Sequence, residues 1–556
     1  MEGYEAKRTA ENSEAWILGS GTASLASAVY LIEHVKVQPR NVHILDKHAS
    51  LEQGSHDKGD PSKGYDQFAG CLPVPGGLPL KDLLATVPSA QSQGRSVLDE
   101  IQTAEAKRLS TTGNGRTRFL AQKNGSMEEI PIEKLNLGFR SRVTLVRFLL
   151  KREKSLAKGQ IRDFFPRSFF DSVFWAVWSA QCVFRSLHNI VLLIRLTSIR
   201  FGFQPWHSAV EFRRAIRRYL PEFHSLSILN GLDITGYYQY ETLYLPMYFF
   251  LQSRGVDIQF GTGVKNIDIG QNSKNQQTIN GLHLIHDDVE SHRSLGDSDI
   301  VLVNVGSTIS GSAIGTNDIP PVWQSMNADD ALDENWSAWL DLGNKHRDFG
   351  DPYNFCTRES ESMLESFTIT TEDLGFFDNL RAASRCTSEA GAFIFLKDSH
   401  WKMNLCIPSQ PVFPQQPQNV RVLWGLAHSP ELEGNYVNKP MLHCPGTDIM
   451  DELLAHLPLH YQAPLSRTIT IPRAMPRMSA MLLTRDPNDR PRVIPRAFSN
   501  VGLVGHFTEI PEHTCVDVSY GILTAQMAVF GLMGSQTHVE PLISMVSLLH
   551  KVMFWR

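Results

Sequence analysis

Cysteine is scarce in this chain: seven in 556 residues, at positions 71, 182, 356, 386, 406, 444 and 515, with no CxxC pair. That spacing excludes a disulfide framework and a cysteine-built zinc cage, and it fits a reducing compartment. No metal site of any kind is expected. An excess of basic charge is also missing. Lys and Arg total 53 against 58 Asp and Glu, a net charge of -5, so there is no electrostatic case for a nucleic acid partner. No uncharged apolar run reaches 18 residues. The nearest, "NIVLLI", lies between His188 and Arg195, which argues against a membrane span. The polar opening "MEGYEAKRTAENSEAW" leads us to expect no secretory leader. Internal repeats are absent as well. What remains is a cytoplasmic protein of about three domains, at roughly 100–200 residues each.

The first organised stretch is a βαβ unit. Trp16-Ile17-Leu18 is a short apolar run that enters a glycine turn, Ala23 to Glu33 has helical spacing, and "NVHILDK" reads as a second buried strand ending in an acid. Parallel strands joined by a crossover helix are buried on both faces, so apolar runs replace alternation. A Gly-, Pro- and Asp-rich loop follows, then helical patterns rich in Phe and Trp across 95–225. "YYQYETLYLPMYFFLQSRGVDIQFGTGVKNIDI" reads as helix, glycine stop, strand, turn, strand. "DIVLVNVGS" is a buried strand ending at glycine, residues 320–480 are rich in strands, and "NVGLVGHFTE" begins a last strand, glycine turn and helix.

This order predicts an α/β fold: a Rossmann-type, two-segment flavoprotein domain, one sheet assembled from distant segments, with a substrate domain inserted and helical regions beside it. The expected blocks are an FAD-binding βαβ segment (1–70), a helical and loop cap (71–235), a return to the FAD domain (236–320), a β-rich substrate-binding domain (321–480), an FAD-closing segment (481–535) and an amphipathic tail (536–556).

The glycine turn carries the first chemical expectation. Gly19 permits the tight turn, and Gly21 lets backbone approach a pyrophosphate at the helix N-terminus, where free N–H groups and the helix dipole favour an anion. Thr22 and Ala23 open the helix. Ser24 stands where a third glycine is usual and is small enough for close helix–strand contact. Asp46 is placed to accept the ribose hydroxyls of an adenosine half. The bland alternative is a tight βα turn that binds nothing. The late strand-glycine-helix favours FAD over NAD, because such an element commonly closes over a flavin.

The blocks "GSGTASLASAVYLIE", "ILDK", "GYDQFAG", "SVLDE", "FFDSVFWAVW", "PWHSAVEFRR", "YYQYETLYLP" and "GHFTEIPEHT", in that order, resemble the oleate hydratase family. These are FAD-dependent fatty acid hydratases, once called myosin-cross-reactive antigens. The resemblance spans roughly residues 14–535. It implies addition of water to a cis double bond of a long-chain unsaturated fatty acid, a homodimer, and FAD that undergoes no net redox change. It also implies FAD contacts at Gly19, Gly21, Ser24, Asp46, Lys47, Ser55, Gly306, Ser307, Gly505 and Ser519. Gln239 would hold the substrate carboxylate.

The chain departs from the family where hydration is performed. An isolated alkene needs an acid to protonate one carbon and a base to activate water at the other. The family's catalytic glutamate falls on Leu72 or Val74, beside Cys71 in place of an arginine, and its tyrosine falls on Ala215. Its Thr, Asn and His carboxylate set becomes Cys406, Pro408 and Val412. Tyr219, one helical turn after Ala215, and His506 are the substitutes considered, with packing roles as the alternative for each. His207 reads as a structural, hydrogen-bonded histidine, and Tyr237, Tyr238 and Tyr240 as pocket supports. Glu509 is a second acid or base candidate at the closing turn.

"CVFRSLHNIVLLIRLTSIR", Cys182 to Arg200, has no counterpart in the family. It reads as a retained intron, with a genuine helical insert as the alternative. The tail "PLISMVSLLHKVMFWR" is amphipathic and suits either peripheral membrane contact or docking on protein. Three readings of function stand: a fatty acid hydratase, an FAD- and lipid-binding protein that has lost hydration, and a flavin oxidoreductase acting on an apolar substrate.

Overall fold

The computed structural model describes residues 8–49, 59–66, 78–89, 92–112, 118–129, 137–179, 202–220, 240–323, 332–384, 392–408, 410–413, 415–459, 465–516, 518–535 and 544–554. Expectations about Ser55, Cys71, Leu72, Val74, Tyr237, Tyr238, Gln239 and the 182–200 segment lie outside the described residues.

Eight strands build one half of the fold. They are β1 (Ala15–Leu18), β2 (Val42–Asp46), β3 (Asp257–Phe260), β4 (Thr262–Gln271), β5 (Gln277–His286), β6 (Val289–Ser294), β7 (Ile300–Asn304) and β8 (Val501–Val504). Five of them form one parallel sheet in the order β8-β7-β1-β2-β3. β4, β5 and β6 form a separate antiparallel meander. Strands far apart in the chain therefore share one sheet, as the apolar runs predicted, with β1 at its centre.

Both faces of that sheet are covered, which is why its strands read as unbroken apolar runs. Ala15 and Ile17 point into one core with helices α1 (Thr22–Tyr30) and α4 (Val518–Leu532). Trp16 and Leu18 point into the other, shared with the meander and α3 (Glu334–Lys345). Between α1 and α3 in the chain lies α2 (Ala209–Tyr219), whose N-cap Ser208 accepts a hydrogen bond from Glu211 N–H. A fully buried aliphatic or aromatic side chain in these cores contributes roughly 1.5–3 kcal/mol.

The second half is an eight-stranded sheet. Its order is Ala313–Ile314, Thr468–Met475, Leu364–Thr371, Arg421–Ala427, Met403–Ile407, Ala392–Leu396, Arg118–Lys123, Ser126–Glu129. The hairpin 118–129 falls in a stretch expected to be helix and loop, yet it extends this sheet: Phe119 pairs in parallel with Phe393. At the other end of the chain, the helix Met545–Phe554 buries Leu548 and Val552, and Arg142 donates to the Met553 carbonyl at 3.4 Å. Part of its apolar face is thus already used against the protein. Among the described residues, no helix is long and apolar enough to cross a membrane.

Candidate functional site

Three strand ends of the parallel sheet converge on one amide. Gly19 follows β1 with φ +88, and its N–H donates to the Leu45 carbonyl at 2.8 Å, carrying the β1–β2 ladder into the turn. Gly505 follows β8 with φ +104. Between them sits Asn304, the last residue of β7. A Cβ on Gly21 would lie 3.0 Å from Asn304 Nδ2, and one on Gly505 would lie 2.5 Å from Asn304 Oδ1. A Cβ on Gly19 would meet Asn335 Oδ1 at 2.6 Å. At positions 19 and 505 glycine suits the contact as well as the backbone angle.

The helix that leaves this turn begins without a side-chain cap, since Gly21 is its N-cap. Its first N–H groups have no intrahelical acceptor and suit an anion. The Ser24 hydroxyl is fully buried and has no hydrogen-bond partner among the described residues, and Asn335 Oδ1 is in the same position. Unsatisfied buried polar atoms are uncommon and call for an explanation. Here they mark a cradle whose complement is a polar ligand.

The acid at the end of β2 is held tightly. Asp46 Oδ2 accepts from Ser20 N–H at 3.1 Å and from the Ser20 hydroxyl, while Oδ1 accepts from His48 N–H at 2.8 Å and meets His48 Nδ1 at 2.7 Å. Burial raises this carboxyl, but the His48 and Ser20 bonds prevail and it titrates below the usual aspartate range. The Ser20 hydroxyl also lies 3.1 Å from the Tyr244 hydroxyl.

Two more carboxyls stand at the N-terminus of α3. Asp333 caps it by accepting from Trp336 N–H at 3.2 Å, and burial pushes the group up despite a hydrogen bond with Ser307. Glu334 accepts from Val264 N–H at 2.8 Å and Lys47 N–H at 3.0 Å, tying β2 to the meander. Burial, outweighing those two bonds, pushes Glu334 up to about 7. It therefore titrates in the neutral range.

Gly306 (φ +68) leaves room for Phe507, whose ring edge would lie 2.6 Å from an added Cβ. Ser307 offers its carbonyl to Trp336 Nε1 at 2.9 Å. Gly505 N–H donates to the Thr524 hydroxyl at 3.0 Å, which fixes α4 to the end of β8. Ser519 lies in the first turn of α4. A Cβ on Gly521 would lie 3.7 Å from the Ala23 Cβ and 3.9 Å from His506 Nε2. The openings of α1 and α4 and the His506 ring thus meet. His506 Nδ1 lies 2.9 Å from the Cys515 carbonyl, so Nδ1 carries a proton and donates it there.

Other sequence candidates are placed elsewhere. Ala215 and Tyr219 are buried in the large apolar core, 0% and 1% exposed, and Arg218 stacks over the Tyr219 ring at 5.5 Å. Cys406 and Val412 are likewise buried, in two different apolar clusters. His207 is fully buried and accepts from Gln204 N–H at 3.0 Å through Nδ1, with the Ser479 hydroxyl 3.3 Å from Nε2. Burial depresses it to about 3, so it is a neutral structural histidine at physiological pH.

Glu509 belongs to an ion network. Arg214 meets it at 2.6 Å and Arg485 at 2.9 Å. Glu211, fully buried, takes Arg485 at 2.7 Å and both Arg214 and Arg490 at 3.3 Å, with the Cys515 thiol 3.4 Å away. Arg214 also pairs with Glu153 at 2.8 Å. Burial would raise Glu211, but the surrounding guanidinium groups hold it at about 2. This network clamps α2 to the segment after β8. It fixes that turn and offers no free acid.

Asn304, Asn335, Asp333 and Glu334 were not predicted from sequence. A polar residue closing the apolar run "IVLV", two positions before Gly306, was the available signal for Asn304.

The profile of the MCRA family matches residues 12–530 of this chain. The oleate hydratase of Streptococcus pyogenes serotype M49 (strain NZ131) is 28% identical over 552 residues, covering 96% of this chain and 88% of that protein. The linoleate hydratase of Lactiplantibacillus plantarum is 25% identical over 566 residues, covering 94% of each. Among solved structures, cyclohexylamine oxidase from Brevibacterium oxydans IH-35A is similar over 94% of this chain and 99% of its own, at 11% identity and a TM-score of 0.43.

Proposed function

The chain belongs to the MCRA family, and on that premise we propose that it is an FAD-dependent fatty acid hydratase-like hydro-lyase, adding water to a cis double bond of a long-chain unsaturated fatty acid. The observation that carries this reading is the near full-length similarity to two hydratases. The glycine cradle supports it from the side of the cofactor.

The residues fit FAD. Gly19, Gly21, Thr22, Ala23 and Ser24 would face its phosphates, Asp46 and Lys47 its adenosine half, and Gly306, Ser307, Gly505 and Ser519 its flavin half. The buried Ser24 hydroxyl without a partner and the uncapped helix are what such a ligand completes. When bound, FAD supplies an electrostatic surface for the reaction and is not consumed.

The chain's own contribution is proton handling. Hydration places a proton on one alkene carbon and hydroxide on the other, so the sum is water and nothing is oxidised. His506, whose Nδ1 is held by the Cys515 carbonyl at the meeting of α1 and α4, is the group we assign to the water. Tyr219 lies in the apolar core, and we give it no proton to transfer.

A second reading is favoured by one observation. Ala215, the family's tyrosine position, is sealed in the core with no titratable side chain of its own. The protein would then bind FAD and fatty acid without turnover. Incubation with oleic and linoleic acids, reduced FAD and oxygen-18 water separates the two. Labelled hydroxy fatty acid establishes hydration. Fatty acid binding without labelled product, from folded and FAD-loaded protein, sinks it in favour of the second reading. A substrate-dependent change in flavin absorbance would instead indicate an oxidoreductase.

We further place the protein in the cytoplasm as a homodimer with peripheral membrane contact near its C-terminus. Val546 on the terminal helix and Phe139 on the helix Phe139–Leu150, 79% and 73% exposed, are apolar side chains left open there. Vesicle flotation of wild type against Val546→Ser tests the membrane contact, and light scattering for mass tests the homodimer.

A further inference from the structure

Away from the cradle, one face of the meander gathers three metal-ligating side chains. Asp268 on β4, His283 on β5 and His292 on β6 each offer a donor atom, and these atoms all lie within 4.8 Å of one another. His283 Nε2 is 2.9 Å and His292 Nε2 3.1 Å from the same oxygen, Asp268 Oδ2. We propose that Asp268, His283 and His292 form a binding site for a zinc-class divalent cation that staples β6 to the rest of the meander.

The register explains the convergence. His283 pairs directly with His292, and Asp268 pairs with Gly281, one step along the same face. A Cβ on Gly281 would lie 2.7 Å from His292 Nε2 and 2.8 Å from Asp268 Oδ2. Glycine therefore opens the diagonal along which the carboxylate reaches the far histidine. Three donors at metal bond lengths of about 2.0–2.2 Å sit roughly 3.3 Å apart around a tetrahedral ion. The two spacings to Asp268 Oδ2 need to lengthen by only a few tenths of an ångström, and the third, between the histidine nitrogens, lies within 4.8 Å.

The carboxylate is also oriented from behind. Asn266 Nδ2 donates to Asp268 Oδ1 at 3.1 Å, and Lys345 Nζ donates to Asn266 Oδ1 at 2.6 Å. Such outer bonds fix a ligand's direction and typically change metal affinity 10–100-fold when removed. Two imidazoles and one carboxylate select zinc, nickel or copper over magnesium or calcium, which prefer oxygen donors throughout. The three side chains are 37–44% exposed, so an ion and its remaining water ligands have open access. The sequence had led us to expect no metal, because cysteine spacing is silent about a triad built across three strands.

What the site would do follows from β6. All six of its side chains are exposed, and among the described residues it is an edge strand paired only with β5. It has a backbone ladder but no core of its own. A metal bridge from His292 to Asp268 would tie it across β5 to β4.

The test uses the full-length protein after chelator treatment, titrated with zinc chloride by calorimetry and with cobalt(II) as a coloured probe. One tight equivalent is expected. His292→Ala and Asp268→Asn should each weaken it at least tenfold, and Asn266→Ala about tenfold. His286→Ala, on the opposite face of β5, should leave it unchanged. Far-UV circular dichroism confirms that each variant folds. Hydrogen exchange of the 289–294 amides should slow at least tenfold with zinc in wild type but not in His292→Ala. Absence of a tight equivalent, or one that survives the Asp268→Asn, His292→Ala double substitution, overturns the site. Zinc binding without slower exchange overturns the staple.

Discussion

Asn304 and Gly505 are in contact so close that a single added carbon at 505 would lie 2.5 Å from the side-chain Oδ1 of Asn304. Gly505→Ala should suffer twice, from this clash and from a φ of +104. Backbone strain of that kind costs about 1–3 kcal/mol. Gly94 also has a positive φ, but open space lies around it, so Gly94→Ala isolates the strain. We expect the Gly505 variant to melt several degrees below the Gly94 variant and to lose FAD on gel filtration. Equal melting and equal flavin content would remove the close contact from the argument.

The Glu211 network makes a prediction about acid. Glu211 titrates at about 2 in the fold, against about 4.3 for an unperturbed glutamate. The unfolded chain binds its proton first as pH falls, so this carboxylate stabilises the fold above the ordinary glutamate range. The contribution is lost between about pH 4.3 and 2. Glu211→Gln leaves buried guanidinium groups short of a counter-charge and should cost about 3–5 kcal/mol at pH 7. Its urea midpoint should also fall less steeply than wild type below pH 4.5. Parallel acid limbs in the two proteins would contradict this.

Glu334 behaves in the opposite sense. Its carboxyl is raised to about 7, so the folded state holds the proton more tightly than the unfolded chain. Stability from this group is present at acid pH and declines as pH rises through the interval up to about 7. Glu334→Gln stays neutral throughout but offers only one oxygen for the Val264 and Lys47 N–H groups. Its melting temperature should lie below wild type at pH 5, and the gap should narrow by pH 8. A gap independent of pH means that Glu334 does not titrate there.

For hydration itself, His506→Gln removes the imidazole while preserving most of the side-chain volume. Turnover should fall about 10²–10⁴-fold, the usual worth of a positioned base, with flavin content unchanged. Tyr219→Phe, inside the core, should alter turnover less than twofold. If the Tyr219 substitution is the damaging one, the assignment of the water to His506 is wrong.

The parts of this protein legible in its sequence are those decided locally. Short apolar runs with a glycine at or just beyond their ends mark β1, β7 and β8, because burial on both faces leaves no alternation. Gly255 at φ +84 stops the helix Leu245–Arg254 where the sequence placed a stop. The unread parts depend on partners far away in the chain. Glu211 and Arg485 are 274 residues apart, and neither residue's neighbours announce the pairing. Glu509 looked like a free acid for that reason. Asn335 and Glu334 lie in a helix with ordinary spacing, and only the folded sheet brings their polar ends to the glycines.

The order of the strands bears on how the protein is made. β1 leaves the ribosome well before β8 and Gly505, which complete its sheet. At about 5–20 residues per second, the nascent chain must hold an unfinished sheet for tens of seconds, with the edge of β7 open. Capture of the cofactor is therefore a late event, after most of the second half has emerged. A message truncated before β8 would yield a chain that exposes a hydrophobic edge and cannot close its cradle, a natural client for chaperones.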